Sequence, residues 1–177
     1  MLFRSVEDFW IVHLGDRYIR KIKVRDSFSD YVIHLKTVCW LQLDGKFNKV
    51  LPGKYEVIWR MKLVNAYMDD EEKPVIYYKA RTCESCDSPG NQLVYEWSVE
   101  ELERVEKEQA NAWFLHNMGQ ITVDTVTDVY VEITGRNGYW CGGFFWDYVE
   151  LRPIESKSSY KSRVKFSLKK QAFCGVM

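Results

Sequence analysis

Two segments of this chain place an aromatic ring beside a guanidinium or amide group, the pairing that lets a shallow site hold a sugar. The ring stacks on the apolar side of a pyranose, and oriented polar groups bond its hydroxyls. Arg136, Asn137, Gly138, Tyr139 and Trp140 offer that mix on a loop between strands, where rigid scaffolds carry their binding residues. Tyr18 with Arg20 is the second candidate. The bland alternative is that Tyr139 and Trp140 only cover the open end of a β-sandwich.

Other chemistry finds little footing. Cys83-Glu84-Ser85-Cys86 has metal-knuckle spacing, but a structural zinc site takes four ligands and no second Cys or His pair accompanies it. His13, His34 and His116 stand apart from one another in the sequence. There is no nucleophile elbow and no glycine-rich phosphate loop. Acidic runs such as Asp69-Asp70-Glu71-Glu72 read as solvated loop. The expectation is a non-catalytic protein with no metal and no cofactor.

The formal net charge is zero, yet it is unevenly placed. Lys157, Lys161, Arg163, Lys165, Lys169 and Lys170 crowd a stretch without acids, which leaves 19 basic and 25 acidic residues elsewhere. An acidic body does not attract a nucleic-acid backbone, so no nucleic-acid partner is expected there. Beyond the basic run, Cys174-Gly175-Val176-Met177 has the form of a prenylation box, with Cys174 as the lipidated residue. One lipid anchors a protein only marginally, and each basic residue near an anionic leaflet adds about 1 kcal/mol. An anionic membrane is therefore an expected partner of the tail; the same run also has the composition of a nuclear localisation signal.

No secretory signal opens the chain, and no apolar stretch is long enough to span a bilayer. Five cysteines, odd in number and unevenly spread, suit a reducing compartment. The expected location is the cytosol, with membrane association or the nucleus through the tail.

The elements that must position the candidate residues are mostly strands. Seven Trp, eleven Tyr and nine Phe suit a pleated sheet. Tyr55, Val57, Trp59, Met61 and Leu63 alternate with Glu56, Arg60 and Lys62, a strand of period two launched by Pro52-Gly53. Val38 to Leu43 predicts a strand ending at an Asp44-Gly45 turn and pairing with the next. Further strands are predicted over 9–14, 75–80, 93–97, 113–123, 129–134 and 144–151. Trp40, Trp59 and Trp113 are assigned to the core, whereas Trp10, Trp97 and Trp146 fit either side. One helix is predicted from Val99 to about Ala110, capped by Ser98 with Glu101 three residues on and striped by Leu102 and Val105. Strand following strand favours an all-β antiparallel sandwich with one short inserted helix. Residues 1–155 form the domain and 156–177 a tail; exposed edge strands leave a homodimer open.

Several short motifs then occur in order: Tyr18; Val38-Cys39-Trp40-Leu41-Gln42-Leu43-Asp44-Gly45-Lys46; Leu51-Pro52-Gly53-Lys54-Tyr55; Asn111-Ala112-Trp113 with Gly119; and Gly142-Gly143-Phe144 with Val149-Glu150-Leu151-Arg152-Pro153. Over residues 7 to 154 the chain resembles the phloem protein 2 domain, the Nictaba-related lectin module. The resemblance implies a jelly-roll-like β-sandwich that binds N-acetylglucosamine oligomers or N-glycan cores without catalysis. Members commonly carry Trp where this chain has Ile19, in the aromatic segment linked to sugar binding. The alternative function is a protein-interaction module that keeps the fold without the sugar.

Overall fold

The alternation at 55–63 extends into a sixteen-residue strand, and its apolar parity decides which way the sheet faces. Residues 2–69, 76–82, 92–109, 111–135 and 138–154 are described by the computed structural model. In chain order the elements are β1 (Leu2–Ser5), β2 (Trp10–Ile11), β3 (Ile19–Ile22), β4 (Val32–Leu35), β5 (Gln42–Val50), β6 (Gly53–Met68), β7 (Ile76–Arg81), β8 (Gln92–Trp97), α1 (Val99–Gln109), β9 (Phe114–Val123), β10 (Thr127–Gly135) and β11 (Cys141–Pro153).

Two antiparallel sheets face each other. The first runs β3-β4-β11-β6-β9, with β1 beside the far end of β11; the second runs β2-β5-β10-β7-β8. Tyr55, Val57, Trp59, Met61 and Leu63 are all buried between them, as the period-two reading requires. Trp59, Trp97 and Trp146 are fully enclosed there around Tyr78. Tyr78 meets Trp59 at 5.6 Å and Trp97 at 5.9 Å edge-on, and its hydroxyl accepts a 2.9 Å bond from Trp146 Nε1. The fold is the expected jelly-roll-like β-sandwich with one inserted helix.

α1 follows its sequence signals closely. Glu101 N donates to Ser98 Oγ at 3.2 Å, and Leu102 and Val105 are buried. The Glu101 carboxylate accepts the Tyr95 hydroxyl, which ties the helix to β8.

Four expectations are corrected. Asp44-Gly45 is not a turn: both residues lie inside β5, opposite Glu132 and Val131 of β10. Gly45 is small because the Phe9 ring sits on it; a Cβ there would lie 2.2 Å from Phe9 Cζ. β5 and β6 do not pair either, because the short connection at Leu51-Pro52 carries the chain from one sheet to the other. Trp40 is 50% exposed rather than core, since burial parity breaks just before β5: Val38 is buried, and then Leu41 and Leu43. Trp113 is half-buried, with the Arg60 guanidinium 4.7 Å over its ring. β1, β3 and β4 are short strands that the sequence pattern does not reveal. Cys83 to Cys86 lies outside the described residues.

Candidate functional site

At the end of the sandwich where β11 begins and β4 ends, the chain is cross-tied by backbone bonds. Val38 N to Cys141 O and Cys141 N to Val38 O are each 3.0 Å. Gly138 N donates to Cys39 O at 3.0 Å, and Asp69 N to Trp140 O at 2.9 Å. These bonds fix Trp140 beside the 38–40 segment. Just inside, Gly143 takes φ of 81°, and a Cβ there would come within 2.6 Å of Ala66 Cα. Only glycine allows β11 to pass so close to β6 at this point.

The opposite wall is the turn before β3. Gly15 N donates to Ile19 O at 2.7 Å, and Lys36 N to Tyr18 O at 2.9 Å, which holds Tyr18 against the end of β4. His13 adopts φ of 60° and puts its ring 6.0 Å from Tyr18 and 5.5 Å from Trp40. Between the walls lies a cavity of about 110 Å³ lined by His13, Tyr18, Val38, Cys39 and Trp140. Arg17 reaches over the Tyr18 ring at 5.0 Å. Tyr139 and Trp140 are both exposed, and so is Leu14. Beneath the floor, burial pushes the Cys141 thiol up to about 12, with Asp69 and Cys39 adding to the effect.

Of the residues singled out in the sequence, Tyr18 and Trp140 meet in this cavity although 122 positions separate them, and Tyr139 stands next to it in the chain. Arg20 does not line it: Ile19 points into the core, fully buried, so Arg20 turns to the outer face of the first sheet opposite His34. Ile19 is a core residue and does not line the cavity. Arg136, Asn137 and Cys174 lie outside the described residues. His13, Trp40 and Arg17 were missed; the parity break at Trp40 is the one sequence signal that could have pointed to them. Among the described residues no group of three or more His, Cys, Asp or Glu side chains is placed to hold a metal.

A wider cavity at the opposite end, about 580 Å³, is lined by Gly53, Lys54, Thr122, Val123, Asp124 and Ile154, without an aromatic ring. It offers nothing to stack on.

The model of the family described as phloem protein 2 matches residues 2–153. The chain belongs to that family. No curated protein sequence matches it. Among solved structures, the phloem protein 2 fold seen here is similar to a family 35 carbohydrate-binding module from Clostridium thermocellum, with TM-score 0.51 and 12% identity, covering 86% of this chain and 98% of that one. A carbohydrate-binding module of Cellvibrio mixtus lichenase 5A, solved in complex with cellotriose, gives TM-score 0.51 at 8% identity, covering 87% of this chain and 98% of the module. A Podospora anserina mannanase carrying a family 35 module gives TM-score 0.55 at 8% identity, covering 89% of this chain; the chain spans only 28% of that protein. At such identities the likeness is one of fold.

Proposed function

We propose that this phloem protein 2 domain is a non-catalytic carbohydrate-binding module whose end cavity takes N-acetylglucosamine oligomers or N-glycan cores. The observation that carries the reading is the meeting of Tyr18 and Trp140, distant in sequence, in one aromatic cavity that His13 also lines, with the exposed Trp40 ring packed against His13. Aromatic rings at that exposure lose little water and offer π faces to sugar C–H groups. The cavity is smaller than the roughly 300–1,000 Å³ of a drug-sized pocket. It therefore suits one substituent, such as an acetamido group, while the rings of the oligomer lie across Trp40 and Trp140. Arg17, over the Tyr18 ring, supplies guanidinium donors for sugar hydroxyls; Arg136 and Asn137, which precede Gly138 in the sequence, remain candidates by residue type alone. Membership of the phloem protein 2 family and the shared fold of carbohydrate-binding modules support the reading.

The test is a glycan array followed by titration of chitotriose into the full chain and its Trp140→Ala and Tyr18→Ala variants. Binding by the parent, weakened at least about tenfold in both variants, supports the site; aromatic stacking is worth roughly that much. An array silent for chitooligosaccharides and N-glycan cores sinks it. If partners pulled down by the domain persist in excess chitotriose, the protein-interaction reading takes its place.

A second proposal concerns the tail. The basic run and Cys174 box support farnesyl attachment at a cytosolic membrane face rich in anionic lipid. Intact mass from a eukaryotic host decides it: an unmodified Cys174 still followed by Gly175 to Met177 removes the anchor.

A further inference from the structure

The outer face of the first sheet carries a row that the end cavity does not use. Register places Arg20 of β3 opposite His34 of β4, His34 opposite Phe145 of β11, and Phe145 opposite Lys62 of β6. The four side chains therefore stand in line across four strands. His34 and Phe145 stack with ring centroids 4.0 Å apart and planes 9° from parallel, and Lys62 Nζ lies 5.7 Å over the Phe145 ring. The row is an upright two-ring stack with Arg20 at one end and Lys62 at the other. Three strand spacings of about 4.8 Å set the Arg20 and Lys62 backbone positions about 14 Å apart, the reach of a short oligosaccharide.

Charge on this face is not balanced from within. Neither Arg20 nor Lys62 has an acidic partner among the described residues. Arg20 Nε and His34 Nδ1 are buried without a hydrogen-bond partner among the described residues. Lys36, just past β4, donates to the Asp16 backbone carbonyl at 3.2 Å and forms no ion pair among the described residues. The neighbouring acid, Asp147, is fully enclosed and already spent: it accepts Phe28 N at 2.7 Å and Ser29 N at 2.9 Å and pairs with Arg60. A guanidinium partly desolvated without a counter-charge is costly, and an anion lying across the row removes that cost.

We propose that this row is a second binding surface, for a carboxylate-bearing oligosaccharide such as a uronate chain, with Arg20 and Lys62 each taking a carboxylate and the His34–Phe145 stack supporting the sugar between them. The surface is separate from the end cavity and does not rest on that cavity's function. A guanidinium fork and an ammonium at the two ends of one stacked pair distinguish a charged sugar from a neutral one by charge complementarity.

The probe is trigalacturonate, titrated into the full chain at low and at high salt by calorimetry and by backbone amide shifts. The expected result is salt-sensitive binding with shifts on β3, β4, β6 and β11 around Arg20, His34, Lys62 and Phe145. Lys62→Gln, which leaves the core untouched, and Arg20→Gln should each weaken it about tenfold, the weight of one charge-assisted hydrogen bond. Thermal unfolding of both variants checks that they fold. Trp140→Ala should leave trigalacturonate binding unchanged, and chitotriose should not compete, so failure of one surface is distinguishable from failure of the other. The proposal is overturned if the methyl-esterified, neutral trisaccharide binds equally well, if folded Lys62→Gln binds like the parent, if competition places the uronate in the end cavity, or if only anionic vesicles bind.

Discussion

Two aromatic clusters of similar make-up meet opposite fates in this fold. Between the sheets, Trp59, Tyr78, Trp97, Phe144 and Trp146 are enclosed, arranged edge-on or stacked at 5.6–5.9 Å, with the Trp146 Nε1–H satisfied by Tyr78. At the sandwich end, His13, Trp40 and Trp140 are exposed and Tyr18 is half-buried, grouped at a small cavity that His13, Tyr18 and Trp140 line. The difference lies in backbone position: the first set sits on strands whose inward parity is forced, the second on connections tied only by a few main-chain bonds. Rings on the strands fill the core, and rings on the connections keep the exposed faces that the proposed site uses.

The sharpest break of that contrast is a pair of substitutions. Trp59→Ala should cost about 3–5 kcal/mol of stability, as expected for a fully buried ring. Trp140→Ala should stay within about 0.5 kcal/mol in stability while losing affinity for chitotriose. Urea unfolding of both proteins measures the first quantity. Equal destabilisation would make the end cluster part of the core and remove it as a site.

Next in size is the clamp under the loop between β3 and β4. Asp147 sits at a bulge in β11, where the register shifts between Trp146 and Tyr148, and points to the outer face. There it holds Arg60 and the amides of Phe28 and Ser29. Asp147→Ala should cost about 3 kcal/mol by stranding the Arg60 charge. Hydrogen exchange should quicken at Phe28 and Ser29, while Gly138 and Asp69, bonded at the end cavity, keep their protection.

A smaller effect tests the ring seat at Gly45. Gly45→Ala should destabilise by about 1–3 kcal/mol through overpacking against Phe9. Much of that should return in Phe9→Leu/Gly45→Ala, a coupling readable in a double-mutant cycle. If the two changes simply add, Phe9 does not enforce the glycine.

Gly45 also shows where sequence reading stops. Asp-Gly is a turn signal only when nothing large packs on the glycine, and Phe9 is remote in sequence. β6, β9, β11 and α1 were legible because each carries its own periodicity or cap. β3 and β4 were not, because four-residue strands hold too few alternations to stand out, and Ile19-Arg20-Lys21-Ile22 sets two charges side by side rather than alternating. In the end cavity, Tyr18 and Trp140 were legible by residue type. Their convergence, and the addition of His13 and Trp40, depend on the Val38–Cys141 bridge, a long-range pairing that leaves no local mark.

The smallest predicted effect concerns the outer row. Arg20 from β3, Lys36 from the end of β4 and the Phe145 ring from β11 surround His34, with Lys62 of β6 beyond the ring. Burial first, then Arg20 and Lys36, lower its pKa from 6.5 to about 4. A base whose pKa is depressed by folding binds its proton more readily when unfolded, so the stability is fully present above pH 6.5 and is lost as pH falls toward 4. Because the ring is only half-buried, solvent screening leaves about 1 kcal/mol of the shift's nominal value. His116 is depressed in the same direction, chiefly by burial, and the carboxylates add their own slope. The effect is therefore read as the difference between parent and His34→Gln across pH 4 to 7. That difference should narrow with trigalacturonate bound, since a carboxylate beside His34 offsets the two cations that keep it neutral. An unchanged difference would place the uronate away from the row even if it binds.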